Sequence, residues 1–127
     1  MDDQGDLFDE LISQALEKLP EEFRAQLDSV AIVVDDEATP EQLVSAHAHG
    51  LFGLYQGVPR TAYGASDAPY ASKITLFRRP LERYSRDRDD LARRVEETLF
   101  HEIAHHLGIS DARLRELAAQ RAGQAAK

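Results

Sequence analysis

Leu91-Ala92-Arg93-Arg94-Val95-Glu96-Glu97-Thr98-Leu99-Phe100-His101-Glu102-Ile103-Ala104-His105-His106-Leu107-Gly108 is the stretch on which the fold turns. Leu91, Val95, Leu99, Ile103 and Leu107 recur at every fourth residue, the spacing of a helix that packs one stripe into a core. The helix begins at about Arg86, and Gly108 closes it in the usual C′ position. Taking about 100° per residue, Ile103 lies roughly 200° round the axis from His101. The apolar stripe and the pair His101 and His105 therefore occupy opposite faces, which places the helix between a core and a cleft.

The polar face carries the pattern His-Glu-x-x-His. Residues at i and i+4 are one turn apart, so two imidazoles can meet one metal ion at about 2.0–2.1 Å. Glu102 points to the side of such an ion, where a general base for a zinc-bound water stands. Zinc lowers the pKa of that water to about 7 and polarises the carbonyl it attacks. Two histidines leave a catalytic site one protein ligand short. Gly108 can leave the helix with positive φ, and Asp111, three residues on, can be brought back as that ligand. Asp111 can also be read as the N-cap of the following helix, and a carboxylate with two oxygens can do both. Glu116 is an alternative third ligand but reads as solvent-facing. His106 shares Glu102's side and reads as a supporting or surface residue.

Outward from this helix the pattern changes. Leu7, Leu11, Ile12, Ala15, Leu16 and Leu19 predict a first helix, and Pro20 opens a short second turn over 21–27. Val30 to Val34 predicts a strand buried on both faces, ended by Asp35, Asp36, Glu37 and Pro40. Residues 41–72 read as short extended pieces and turns, with a strand over 51–55. Lys73 to Phe77 predicts a second good strand, and nearby Pro80 suggests a sheet edge. Ser110 or Asp111 caps a last helix carrying Leu114 and Leu117, and the tail 122–127 is expected to fray. His47 and His49 form a possible second metal pair but read as loop or surface residues. Tyr55, Tyr63, Tyr70 and Tyr84 are candidates to stabilise an oxyanion, with packing the expected role; Arg78 and Arg79 read as solvated charges.

Composition bounds the function classes. The 127 residues suit one domain, spanning 1–127. A net charge of −8 argues against nucleic acid or an anionic membrane as partner. The chain has no cysteine, which excludes disulfides, thiolate metal sites and a cysteine nucleophile. No apolar run approaches the roughly 20 residues of a membrane span. The acidic N-terminus is unlike a secretory signal, so a cytoplasmic monomer is expected. Residues 1–59 hold 2 basic and 13 acidic side chains, whereas residues 60–127 hold 13 basic and 10 acidic. The two halves are expected to attract each other within one fold.

The string HEIAHHLGISD, from His101 to Asp111, resembles the H-E-x-x-H-x-x-G-x-x-D motif of the small bacterial zincin-like metallopeptidases. The likeness extends to LPEEFRAQLDSVAIVV, GLYQGVPRT and ITLFRRPLER, and so covers roughly residues 7–117. It implies an α+β fold of the minimal zincin-like kind, a small mixed sheet packed beside the active-site helix. It also implies Zn²⁺ on His101, His105 and Asp111, with Glu102 as catalytic base and a peptide or protein as substrate, paired in extended form along an edge strand for which Lys73 to Phe77 is the candidate. The only methionine is Met1, so the methionine turn of the metzincins is missing. Only 16 residues follow Asp111, which leaves little chain for a second wall to the cleft. The expected activity is zinc-dependent hydrolysis of peptide bonds; the alternative is a zincin-shaped zinc-binding or regulatory module with little or no hydrolysis.

Overall fold

The computed structural model describes residues 3–45, 51–57 and 72–125. Within them the chain runs α1 (Asp3–Glu17), α2 (Glu21–Ala25), β1 (Val30–Asp35), α3 (Pro40–Ser45), β2 (Gly53–Gln56), β3 (Ser72–Phe77), α4 (Arg78–Tyr84), α5 (Arg88–Leu107) and α6 (Asp111–Ala125). This is the small α+β architecture that the sequence suggested, a three-stranded mixed sheet with helices packed on it.

The sheet is ordered β1-β3-β2. β1 runs parallel to β3, with Val30 opposite Ser72 and Asp35 opposite Phe77. β2 is antiparallel to β3, with Gly53 opposite Leu76 and Gln56 opposite Lys73. Two expectations are thereby exchanged. Lys73 to Phe77 is the central strand, with Ile74, Thr75, Leu76 and Phe77 fully buried, and β1 is a half-exposed outer strand among the described residues. Pro80 misled because it belongs to the first turn of α4, where a missing N–H breaks no helical bond, so it says nothing about the strand before it.

α3 falls where extended pieces were expected, although its signal is in the sequence. Thr39 Oγ1 accepts from the Gln42 N–H at 3.1 Å, and Gln42 Oε1 accepts from the Thr39 N–H at 2.8 Å. This is a reciprocal capping box with Pro40 at the first helical position.

α5 lies at the centre, packed on α1, α4, β2, β3 and α6. Its stripe Leu91, Val95, Leu99, Ile103 and Leu107 is buried with Phe8, Leu11, Ile12 and Ala15 of α1, Ile74 and Leu76 of β3, and Leu114 and Ala118 of α6. The two differently charged halves meet through surface pairs: Arg78 with Asp36 at 2.6 Å, Arg83 with Glu37 at 2.9 Å and Arg88 with Glu10 at 3.2 Å. Arg78 is mostly covered and also reaches Glu82, so it is a structural tie rather than a solvated charge.

The start of α5 is doubly capped. Asp87 Oδ1 accepts from the Asp90 N–H at 2.8 Å, and Asp90 Oδ2 accepts from the Arg86 N–H at 3.0 Å. Asp90 is buried and also pairs with Arg93 and Arg94. The Arg86 N–H above all, with the two arginines adding, holds this carboxyl below its ordinary value against the opposing effect of burial. A lowered folded-state pKa contributes stability above the unfolded value of about 4, and that stability is lost as pH falls through the folded value. Urea unfolding of Asp90→Asn against wild type should show a stability gap near neutral pH that narrows below about pH 4. A gap that does not change with pH would assign the loss to something other than the carboxylate's charge.

Candidate active site

Gly108 turns the chain at the end of α5. It sits at φ 72°, ψ 29°, in the left-handed region that a side chain disfavours. The Ile109 N–H donates to the Ala104 carbonyl at 3.1 Å and the Gly108 N–H to the His105 carbonyl at 3.2 Å, the paired bonds of a Schellman ending. Ser110 then caps α6, its Oγ accepting from the Arg113 N–H at 3.1 Å. Asp111 is therefore the first residue of α6 and not its cap. Its Oδ2 lies 2.6 Å from His101 Nδ1. That hydrogen bond raises the pKa of His101, the charge of Glu102 adding to the effect, while burial and Arg115 oppose it.

His101 and His105 are both exposed, one turn apart on the face opposite the buried stripe. Glu102 is buried beside them, its Oε2 3.8 Å from His101 Nε2. Burial raises its pKa; the two histidines and the backbone N–H of Tyr55, which donates to the carboxylate, act in the opposite sense.

Tyr55 was read from sequence as packing, and its burial agrees. It does more than fill space. Its hydroxyl lies 2.9 Å from His106 Nδ1 and 3.0 Å from Ser72 Oγ. Its ring stacks obliquely on His105 and His106, with centroids 5.2 and 5.4 Å apart. His106 is thus a buried strut on Glu102's side of the helix, one turn beyond it. No sequence signal marked Tyr55 out from the other tyrosines, because its partners come from β3 and from α5. Tyr84 is exposed and meets Phe52 edge-on. Tyr63, Tyr70, His47 and His49 lie outside the described residues.

His101, Glu102 and Asp111 face a cleft of about 350 Å³ that is also lined by Leu51, Phe52, Gly53, Glu97, Thr98 and Arg115. Gly53 keeps β2 close to α5: a Cβ there would stand 2.6 Å from Thr98 Cγ2 and 3.2 Å from the Thr75 carbonyl. Glu116 pairs with Arg113 at 3.0 Å on the exposed side of α6, away from the cleft lining. Among the described residues, no three histidine, aspartate or glutamate side chains are gathered as a ready-made metal-ligand set. His101 and Asp111 are engaged with each other instead.

A small mixed sheet beside a central helix, with His101 on the helix's cleft face and His105 exposed one turn on, is an architecture of the zincin kind. The chain belongs to the zincin-like metallopeptidase family, whose model matches residues 27–121. The match begins after α1 and α2, and so is shorter at the N-terminal end than the resemblance read from residues 7–117. The family is one of zinc peptidases, whose substrates are peptides. No curated protein matches the chain. Among the described residues, no helix is long and apolar enough to cross a membrane.

Removing the Tyr55 hydroxyl deprives buried His106 Nδ1 and Ser72 Oγ of a shared partner. Tyr55→Phe should lose about 1–3 kcal/mol of stability in chemical denaturation. An unchanged unfolding midpoint would show that this buried bridge contributes nothing net.

Proposed function

We propose that this chain hydrolyses peptide bonds with Glu102 as general base and with zinc held by His101, His105 and Asp111. The observation that carries the reading is the buried Glu102 carboxylate set beside His101 and Asp111 on the wall of one cleft, with His105 exposed one helical turn further on. Two imidazoles and a carboxylate are the donors that zinc takes in catalytic sites, so the residues fit the metal in kind. When bound, zinc would supply a Lewis acid that polarises the scissile carbonyl and acidifies water.

The protein's own groups account for the rest. Burial favours the protonated form of Glu102, which makes its carboxylate a stronger base than an exposed glutamate. In this reading it takes the proton of the attacking water and returns it to the leaving nitrogen. The Tyr55 N–H keeps the carboxylate in place, and the Tyr55 ring covers one side of His105. Among the described residues β2 is an outer strand, and its Gly53 lines the cleft. An extended peptide would therefore pair along β2, replacing the expectation for Lys73 to Phe77, whose two edges are already occupied. Pairing through backbone groups accepts many sequences, so broad activity is expected.

Metal analysis of protein purified without a histidine tag should find one zinc per chain, and His105→Ala should lose most of it. Stoichiometric zinc at wild-type affinity in His105→Ala would refute the site. Asp111→Asn should weaken zinc binding about ten-fold or more. Because Ser110 holds the cap, helix fraying does not confuse that result. Unaltered affinity would send the search for the third ligand to other residues.

The mechanism has its own test in a peptide-library digestion. Glu102→Ala should keep its zinc and lose roughly 10²–10⁴-fold in turnover. Undiminished turnover would remove Glu102 from the mechanism. A zinc-loaded wild type that cuts nothing would leave the non-hydrolytic module.

A further inference from the structure

Among the described residues, five titratable side chains line the cleft: Glu97, His101, Glu102, Asp111 and Arg115. Four are engaged. Glu97 pairs with Arg93 at 3.6 Å, His101 with Asp111 at 2.6 Å, and Glu102 accepts the Tyr55 N–H. Arg115 is exposed and has no ion pair or hydrogen bond with any carboxylate among the described residues. The other arginines of the two helices that frame the cleft, where their side chains are described, differ: Arg88, Arg93, Arg94 and Arg113 each hold a carboxylate.

The reason is local. Asp111 stands four residues before Arg115 on α6 and is its natural helical partner. That carboxylate is turned onto His101 instead. Arg115 also borders a second groove, lined with Lys18, Glu96, Phe100, Ala118 and Ala119. Among the described residues that line it, the other cation, Lys18, is held by Glu96 at 2.5 Å. Among the described residues, the Arg115 guanidinium is thus the cation left available to a ligand in either groove.

We propose that Arg115 is a specificity-determining residue of this cleft, binding a substrate carboxylate, whether an acidic side chain or the peptide's C-terminus. The proposal rests on the peptidase reading above. A guanidinium presents two parallel N–H groups that match a carboxylate, and such charge-assisted pairs are about twice as strong as neutral ones. The net charge of −8 does not forbid an acidic substrate. Exposed charges beyond about 8–10 Å are largely screened at physiological salt, so the local guanidinium decides.

The test uses two matched pairs of peptides, glutamate against glutamine within the chain, and free C-terminal acid against amide. Both pairs are offered to zinc-loaded wild type, Arg115→Gln and Arg115→Glu. Wild type should show a KM about ten-fold lower for the acidic member of one pair, and that pair identifies the source of the carboxylate. Arg115→Gln should erase the preference through KM rather than kcat, and Arg115→Glu should reverse it. Equal treatment of both pairs by wild type, or a preference that survives in Arg115→Gln, overturns the proposal.

Calorimetry of the same peptides with Glu102→Ala, alone and combined with Arg115→Gln, separates this inference from the reading beneath it. If no peptide is cut, the peptidase reading falls. Acid-selective binding that disappears with Arg115→Gln then still upholds the role of Arg115. Binding indifferent to the carboxylate overturns it.

Discussion

Tyr55 fastens the cleft helix to the sheet, and the arrangement of the cleft depends on that joint. One residue of a four-residue strand gives its N–H to Glu102, its ring to His105 and its hydroxyl to His106 and Ser72. A carboxylate buried beside apolar neighbours is costly unless something donates to it, and the Tyr55 N–H is such a donor. The opposite side of α5 is committed to the core through Val95, Leu99 and Ile103, all fully buried. The helix is gripped on two sides, and only the strip bearing His101 and His105 remains open.

Much of this was legible in the sequence wherever the signal was local. The four-residue series from Leu91 to Leu107 located α5, and its 200° offset from the histidines put core and cleft on opposite faces. Gly108 marked the turn because a left-handed residue after an apolar periodic run has few other uses. The resemblance read from the sequence rests chiefly on the end of that same stretch, from His101 to Asp111. Asp111 remained ambiguous because a helix cap and a ligand ask for the same side chain. Only coordinates could show Ser110 taking the cap and leaving the carboxylate to His101.

What was not legible depended on partners distant in the chain. Whether a strand is central or outer is decided by its neighbours, so the apolar run at Val30 to Val34 looked more interior than Lys73 to Phe77, and the reverse holds. Tyr55 could not be ranked above Tyr84 by composition, since its hydroxyl partners lie on two other elements. α3 is different in kind: Thr39, Pro40 and Gln42 spelled its start, but the surrounding glycines and prolines drew the reading towards turns.

The Gly108 turn also divides the order in which the site can assemble. His101 and Asp111 are 10 residues apart, joined by a helix, a three-residue turn and the start of another helix. Contacts that close over so short a loop form early and locally. Tyr55 reaches His106 across 51 residues, and β1 pairs with β3 at a comparably long separation, Val30 lying opposite Ser72. The histidine-bearing strip therefore belongs to a helical hairpin that can form before the sheet exists. The seat of Glu102 waits for the slowest part of the topology, so the pairing of His101 with Asp111 can precede the burial of the carboxylate beside it.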